Sequence, residues 1–423
     1  MPVVPHDEVR AALGFAPIPK ERYTSERFHR LEMERMWPRV WQLAGLVSDL
    51  DRPGAYFTYE MGFDSILVVR QHEGIRAFHN VCRHRGRRLR EPGLGHASTF
   101  RCPYHHWEWE VDGSLRNIPE RHTFPALPDA ECLGLRRVAV ETWGGFVWIN
   151  LDPNADPLAD YLGDITSRLA PYMLEDYVLI DDSSVDLDCN WKVSIDAANE
   201  AYHIGAVHPE LLGMFEPRSF RCEFLGPHSF SSAMFGVDRD DHDGPPNEML
   251  KQMLREAGVD PNAFTGSASE VRGAIQRALR ARPDFDFAAL SDDQLTDNHQ
   301  YYIFPNVTLN VWPLRVLVVR HRPHMTDPGK MTFDQIQFER LPPGAKRPPR
   351  KKHVQFAHGE GSLGPVTDQD TFNLLRVQQG LMSSGLDVIQ LGDEEIRIRH
   401  MHRTIDEYLG RLDATAERTD RRG

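Results

Sequence analysis

From residue 21 to residue 37 the chain reads ERYTSERFHRLEMERMW, with Phe28, Leu31, Met33 and Met36 close to helical spacing. The pattern predicts an amphipathic helix that Pro38 stops, because proline lacks an amide hydrogen and clashes with the preceding turn. The texture then changes. Between about Trp41 and Leu151, apolar residues gather in short runs such as 65–70 (SILVVR), 75–78 (IRAF) and 143–151 (WGGFVWINL), separated by Gly and Pro. Such runs predict a small all-β domain. Helical signals return at 157–174, a strand-like run covers 183–189, and a helix is expected over 194–204. Residues 236–297 are rich in Asp, Gly, Pro and Ala and read as a helical insertion, a candidate lid. Strands are expected at 299–322 and 331–341, the second alternating well. After the basic loop 346–353, helices are expected from about Thr367 to Met382 and through 393–409.

Composition narrows what these elements can do. A length of 423 residues suits two domains, and 40 % hydrophobic residues can furnish a core for each. The net charge of −13 argues against nucleic acid as the main partner, since phosphate binding needs a basic surface. No run approaches the length of a membrane-spanning helix, and Met1 to Lys20 lacks the charged start and apolar stretch of a signal peptide. The expectation is a soluble, cytoplasmic protein with no membrane partner. Its five cysteines, Cys82, Cys102, Cys132, Cys189 and Cys222, suit metal ligation better than a disulfide framework.

Two constellations carry the chemistry. Cys82-x-His84 and Cys102-x-x-His105 are separated by seventeen residues, and Gly86, Gly93, Gly95 and Pro103 supply turns. Two thiolates and two imidazoles on paired loops form the ligand set of a Rieske [2Fe–2S] centre, whose neutral imidazoles raise its potential to roughly −150 to +300 mV. Tetrahedral zinc is the alternative, although zinc fingers favour a different ligand order. Six arginines (Arg83, Arg85, Arg87, Arg88, Arg90 and Arg101) surround the loops, either as a solvated, charge-compensating surface or as a docking patch for an acidic electron donor.

The second constellation runs from Asn190 to His208. Non-haem ferrous oxygenases need two His and one carboxylate on one face. His203 and His208 are five apart, about 140° around an ideal helix, so they converge only if the helix ends or distorts between them. Gly205 offers that break and Pro209 closes the segment. Two surface histidines near a helix end are the alternative. Asp196 lies one turn before Glu200 and either supports the site or caps the helix.

The runs Cys82-Arg-His-Arg-Gly86 and Cys102-Pro-Tyr-His105, continued by Trp107, Gly113 and Leu115, resemble the cluster loops of Rieske non-haem iron, ring-hydroxylating oxygenase α subunits. The segment Glu200-Ala-Tyr-His203 with His208 resembles the same family's iron segment. One departure is His106, where the family usually has Gly. The resemblance covers nearly the whole chain and implies an α+β fold: an N-terminal helical segment (1–38) packing on the catalytic domain, an all-β Rieske domain (39–152), and a helix-grip, antiparallel-sheet catalytic domain (153–423). It implies a [2Fe–2S] cluster on Cys82, His84, Cys102 and His105, and mononuclear Fe(II) on His203, His208 and a late-helix carboxylate. Asp370 fits that role, with Asp368 as the alternative. Glu200 falls where the family has its acid bridge between an iron ligand, here His203, and a cluster His of a neighbouring subunit, here His105. A strand with Asn306, Thr308, Asn310 and Trp312 is expected to line the pocket.

The implied partners are O₂, a small organic substrate, and a reductase that passes NAD(P)H electrons directly or through a ferredoxin; the implied assembly is a head-to-tail homotrimer. The implied outcome is monohydroxylation, cis-dihydroxylation or oxidative demethylation, and the same iron ligands serve all three. An aromatic acid or methyl ether is the expected substrate, with a quaternary amine or a steroid as alternatives. Two rival readings stand beside this one. A pure Rieske electron carrier would lack the second domain, and a zinc-stabilised ligand-binding protein would lack colour and an EPR signal.

Overall fold

The computed structural model describes residues 6–238 and 240–410, and these fall into two compact units: Leu31–Tyr161, and the described residues before Leu31 together with those after Tyr161.

In the first unit, seven strands form an antiparallel sheet in the order Gln42–Leu46, Phe146–Asn150, Arg137–Trp143, Gly74–His79, Asp64–Gln71, Ala55–Met61 and Leu94–His96. A three-stranded sheet, Thr99–Arg101, Glu108–Glu110 and Leu115–Asn117, completes the unit. The strand Ala55–Met61 alternates buried and half-buried along its length, as one covered face requires. One core joins Leu67, Val69, Phe78, Phe100 and Trp109 to Cys82, Cys102 and Trp107, so both expected cluster cysteines are embedded in the domain's own hydrophobic core.

The second unit is built on eight strands ordered Phe215–Leu225, His228–Phe235, Asn298–Ile303, Val307–Val311, Arg315–Pro323, Met331–Arg340, Tyr177–Leu187 and Val354–Ala357. All neighbours are antiparallel except the last pair. The helix Trp191–Ala198 packs on the strand Arg315–Pro323 and against the helix Pro365–Leu381. That packing carries the two halves of the expected iron segment to one place. The expected insertion contains helices Glu248–Glu256, Val271–Arg280 and Asp292–Thr296. Each starts from an Asn or Ser cap, or from a capping box one turn earlier, which satisfies free amides at the helix start.

Two expected helices differ from what folds. The run 21–37 is split into Glu21–Thr24 and Glu26–Arg35, because Ser25 takes an extended conformation between them. The expected helix 194–204 starts earlier, at Trp191, and already ends at Ala198. Asn190 caps its start by accepting from the Lys192 amide at 3.0 Å. The long strands Phe215–Leu225 and His228–Phe235 had no counterpart among the expected elements.

Candidate cluster loops and a two-histidine, one-carboxylate site

The two cysteine loops are built on one hydrogen-bond template. In the first, the Cys82 amide donates to Arg87 O (2.8 Å) and the Gly86 amide to Cys82 O (3.0 Å). In the second, the Cys102 amide donates to Trp107 O (2.8 Å) and the His106 amide to Cys102 O (3.0 Å). In both, the residue four beyond the cysteine is left-handed, Gly86 at φ 78° and His106 at φ 60°. The departure from glycine at His106 therefore falls where a missing Cβ matters, and it costs the second loop about 1 kcal/mol.

These loops bring the four expected ligands together. The Cys82 and Cys102 side chains lie within hydrogen-bonding reach of each other, and burial, with Cys102 beside it, pushes the Cys82 thiol up. Two buried thiolates side by side need a metal's positive charge. The His84 and His105 rings are 4.8 Å apart. Trp107 stacks on His84 at 4.9 Å, fixing its plane, and Tyr104 lies 3.7 Å from His105. Among the described residues His84 Nδ1 is enclosed with no hydrogen-bond partner, as a nitrogen reserved for a metal would be. Burial, with His105 and Arg85 nearby, lowers the His84 pKa and keeps the ring neutral, the form that ligates. The residues present fit an iron–sulfur cluster.

The arginines around these loops divide. Arg87 pairs with Glu91 (3.1 Å), Arg88 with Glu60 (2.8 Å) and Arg101 with Glu108 (3.4 Å), while Arg90 donates to backbone carbonyls and lies over Phe100. Among the described residues, Arg83 and Arg85 are exposed and paired with no carboxylate; Arg85 lies over the Tyr104 ring at 5.2 Å.

In the other unit, the helix ending at Ala198 gives way at Asn199, and His203 precedes a short second helix, Ile204–Val207. The break thus precedes His203 instead of falling at Gly205, which lies inside that helix. Glu200 explains the break: its Oε2 accepts from the His203 amide at 3.1 Å and caps the new turn, while its Oε1 accepts from His203 Nδ1. The chain bends enough to bring the His203 and His208 rings to 5.3 Å.

The third group comes from the second turn of the helix Pro365–Leu381. Asp370 Oδ1 lies 2.8 Å from His208 Nε2 and 3.6 Å from His203 Nε2. One ligand atom from each of His203, His208 and Asp370 lies within 4.8 Å of the others. Asp368 points elsewhere, accepting from Ser362 Oγ and from the Leu363 amide, and so caps the loop before the helix. Both histidine Nδ1 atoms are held by acceptors, Glu200 for His203 and Gln369 Oε1 (2.6 Å) for His208. Fixing the proton on Nδ1 leaves Nε2 to face the common point, as a ligating imidazole requires. Burial pulls His208 down, but hydrogen bonds to Asp370 and Gln369 outweigh it and raise its pKa. A positive charge at that point is favoured, and the donor set fits mononuclear ferrous iron. Gln369 escaped sequence reading; its only signal is adjacency to Asp370.

Behind Glu200 lies a directional chain that sequence reading also missed. Arg22 Nε donates to His402 Nδ1 (2.9 Å), so the proton of neutral His402 sits on Nε2 and faces the Tyr23 oxygen (2.7 Å). Tyr23 Oη then donates to Asp196 Oδ2 (2.6 Å). Burial pushes Asp196 up to about 7, against the pull of Tyr23 and Lys192. Along the expected pocket strand, Thr308 Oγ1 meets His321 Nε2 at 3.3 Å and His321 Nδ1 meets Ser194 at 2.8 Å. Asn306 and Asn310 are held by hydrogen bonds within the sheet, whereas Trp312 lines a separate cavity.

Cysteine–histidine loops in a β domain and a two-histidine, one-carboxylate centre in a helix-grip domain define a Rieske-type non-haem iron protein. The chain belongs to the ring-hydroxylating α-subunit family: residues 174–411 match its catalytic domain and residues 40–130 match the Rieske [2Fe–2S] domain. It is 35 % identical over 211 residues to the glycine betaine monooxygenase oxygenase subunit of Chromohalobacter salexigens, covering 49 % of this chain and 46 % of that one. It is 34 % identical over 274 residues to the benzene 1,2-dioxygenase α subunit of Pseudomonas putida, covering 61 % and 60 %. The chain spans about half the length of the curated relatives it matches first. Its fold is that of a solved quaternary ammonium Rieske monooxygenase (TM-score 0.68, 21 % identity, 96 % of this chain and 98 % of the other). It is equally close to naphthalene 1,2-dioxygenase with indole bound (TM-score 0.68, 21 % identity, 92 % and 91 %). Among the described residues, no helix is long and apolar enough to cross a membrane.

Proposed function

We propose that this chain is the oxygenase component of a Rieske system, using O₂ and reductase-supplied electrons to hydroxylate or oxidatively demethylate a small organic molecule. The observation that carries the reading is the convergence of His203, His208 and Asp370, with both histidine Nδ1 atoms already engaged, in a chain that also holds the paired cysteine–histidine loops. We take the functional modules as residues 39–152 and 153–423, with 1–38 an N-terminal segment of which the part before Leu31 folds with the catalytic unit.

When loaded, the cluster supplies single electrons and the mononuclear iron activates O₂. Cys82, His84, Cys102 and His105 hold the cluster, and His203, His208 and Asp370 hold the iron. Gln369 and Glu200 orient the two imidazoles. Glu200 also acts between subunits. In a head-to-tail trimer its carboxylate accepts from His105 of a second copy as well as from His203, linking the centres by two hydrogen bonds. Arg83 and Arg85 are the cationic pair left to meet an acidic reductase or ferredoxin. In monohydroxylation one oxygen atom enters the substrate and the other leaves as water, taking up two electrons and two protons. Demethylation follows when the hydroxylated methyl departs as formaldehyde. NAD(P)H serves through the separate reductase, and the system operates in the cytoplasm.

An aromatic acid or methyl ether is our first substrate class. A quaternary amine is the second, favoured by the glycine betaine monooxygenase relative. Turnover under ¹⁸O₂ with a generic reductase tests the reading: substrate-dependent O₂ uptake with label in a hydroxylated product, or formaldehyde released in proportion to the O₂ consumed, supports it. O₂ uptake that no candidate from either class stimulates overturns it.

A further inference from the structure

Between the insertion helices and the turn joining the strands Val307–Val311 and Arg315–Pro323 lies a cavity of about 780 Å³. None of His203, His208, Asp370 or Glu200 lines it. Its walls are apolar and aromatic, with Phe235, Met249, Met253, Ile275, Leu279 and Trp312 among them. Such a volume is typical of a small-molecule pocket.

The charged groups on the lining are not equivalent. Arg282 is held by Asp284 through two hydrogen bonds (2.9 and 2.6 Å), and Arg315 lies 3.6 Å from Glu256. Glu248 pairs with Lys251 at 2.8 Å, and Glu248, Glu256 and Glu339 are all exposed, where water screens them. Arg340 differs. Only 5 % of it is exposed, and among the described residues no group accepts a hydrogen bond from its guanidinium; Nη1 is enclosed, so it is the other guanidinium nitrogens that can meet a ligand in the cavity. Among the described residues its one carboxylate neighbour, Asp176, is 3.8 Å from Nη2, too far for a hydrogen bond. Phe285 and Phe287 lie 5.7 and 5.5 Å from the guanidinium, and the Arg340 amide donates to Leu314 O at 2.9 Å, so its position is fixed from both ends.

A buried guanidinium with an unused N–H is costly unless an acceptor meets it. In an apolar, aromatic-sized cavity the acceptor that fits is a planar oxyanion carrying an apolar body. We infer that this cavity is a binding site, separate from the metal centre, for an amphipathic carboxylate whose charge sits on Arg340 and whose hydrocarbon body packs between Leu279, Met253 and Trp312. A cationic ligand is disfavoured because Arg282 and Arg340 already lie over the Phe285 ring, at 4.8 and 5.7 Å. The inference does not rest on the oxygenase reading, since it concerns equilibrium binding and no metal-site residue.

The test uses the metal-loaded protein, 2-naphthoate, the neutral isostere 2-naphthalenemethanol, and 2-naphthyltrimethylammonium. Binding is followed by calorimetry. Naphthoate should bind at least ten-fold tighter than either comparator. Arg340→Met should reduce naphthoate binding to the level of the alcohol, and Arg340→Lys, lacking the planar fork, should fall between. Should Arg340→Met not fold, Met253→Trp decides: it fills the cavity and should abolish naphthoate binding with Arg340 intact. Equal binding of naphthoate and the alcohol, preference for the ammonium, or undiminished naphthoate binding in Met253→Trp, as expected if the probe bound at the metal centre, each overturns the inference.

Discussion

Asp196 should make the catalytic unit less stable as pH rises towards neutrality, and Asp196→Asn should remove that dependence. As a residue Asp196 is half-buried, but among the described residues its Oδ1 is enclosed without a hydrogen-bond partner, and only Tyr23 donates to Oδ2. Burial raises its pKa from 3.8 to about 7. At about 1.4 kcal/mol per pH unit, that displacement corresponds to an upper figure of about 4 kcal/mol; partial solvent access brings the expectation nearer 2 kcal/mol. The sign follows from which state holds the proton. Below pH 3.8 both states are protonated and stability is flat. Between 3.8 and about 7 the unfolded chain ionises while the folded one does not, so stability falls with rising pH and then levels off. The groups around Asp196 are Tyr23, Lys192, Glu200, Glu395 and Tyr302, with His402 behind Tyr23. Of these, burial drives His402 well below its usual 6.5, so it stays neutral across the window. Asparagine keeps the Tyr23 hydrogen bond and does not titrate. Urea midpoints for the catalytic unit, measured from pH 5 to pH 8, should therefore show the variant gaining steadily on the parent. Tyr23→Phe removes the one hydrogen bond to the ionised form and should shift the window to higher pH. A pH-independent difference between Asp196→Asn and the parent would refute the reasoning.

Glu200→Gln should retain both metals, because Glu200 ligates neither. Its cluster should be reduced at a near-normal rate, while single-turnover product formation falls by orders of magnitude; parent-rate reoxidation of the reduced cluster would return Glu200 to a local cap of the His203 turn. His106→Gly should raise the melting temperature of the cluster unit, by about 1 kcal/mol in stability, since the residue sits at φ 60°. No gain by calorimetry would show that the His106 side chain makes compensating contacts. Gln369→Leu deprives His208 Nδ1 of its acceptor and should weaken iron affinity by about ten- to a hundred-fold with the cluster spectrum unchanged, as read by chelator competition.

The motifs were more legible than the geometry joining them. Cys82, His84, Cys102 and His105 could be read directly because each pair lies within one tight loop, where sequence spacing and spatial spacing nearly coincide. The β texture of residues 41–151 was legible for a similar reason: alternation along strands such as Ala55–Met61 is a local signal. Pro365–Leu381 was placed to within two residues because Pro365 suits a first helical turn and no proline interrupts the run that follows. Other features depend on contacts distant in sequence. Asp370 meets His208 across 162 positions, and Gln369 meets it across 161, so no local pattern could separate Asp370 from Asp368 or point to Gln369. Tyr23 joins Asp196 and His402 from a segment that sequence alone marked only as an amphipathic helix. The helix break before His203 went unseen because Glu200 makes two contacts at once: one carboxylate oxygen caps the new turn, and the other orients the His203 imidazole.

Counting iron and acid-labile sulfide per chain in the reconstituted parent and in His208→Ala tests the central claim most directly. The parent should hold about three irons and two sulfides, two irons in a cluster with a Rieske EPR signal and one mononuclear. His208→Ala removes a proposed ligand that is 2 % exposed and 2.8 Å from Asp370, in a different compact unit from the cluster loops. It should drop to about two irons with sulfide and EPR signal intact, and turnover should cease. A variant that keeps its third iron and its activity, or a parent that binds zinc and shows no Rieske signal, would contradict the account.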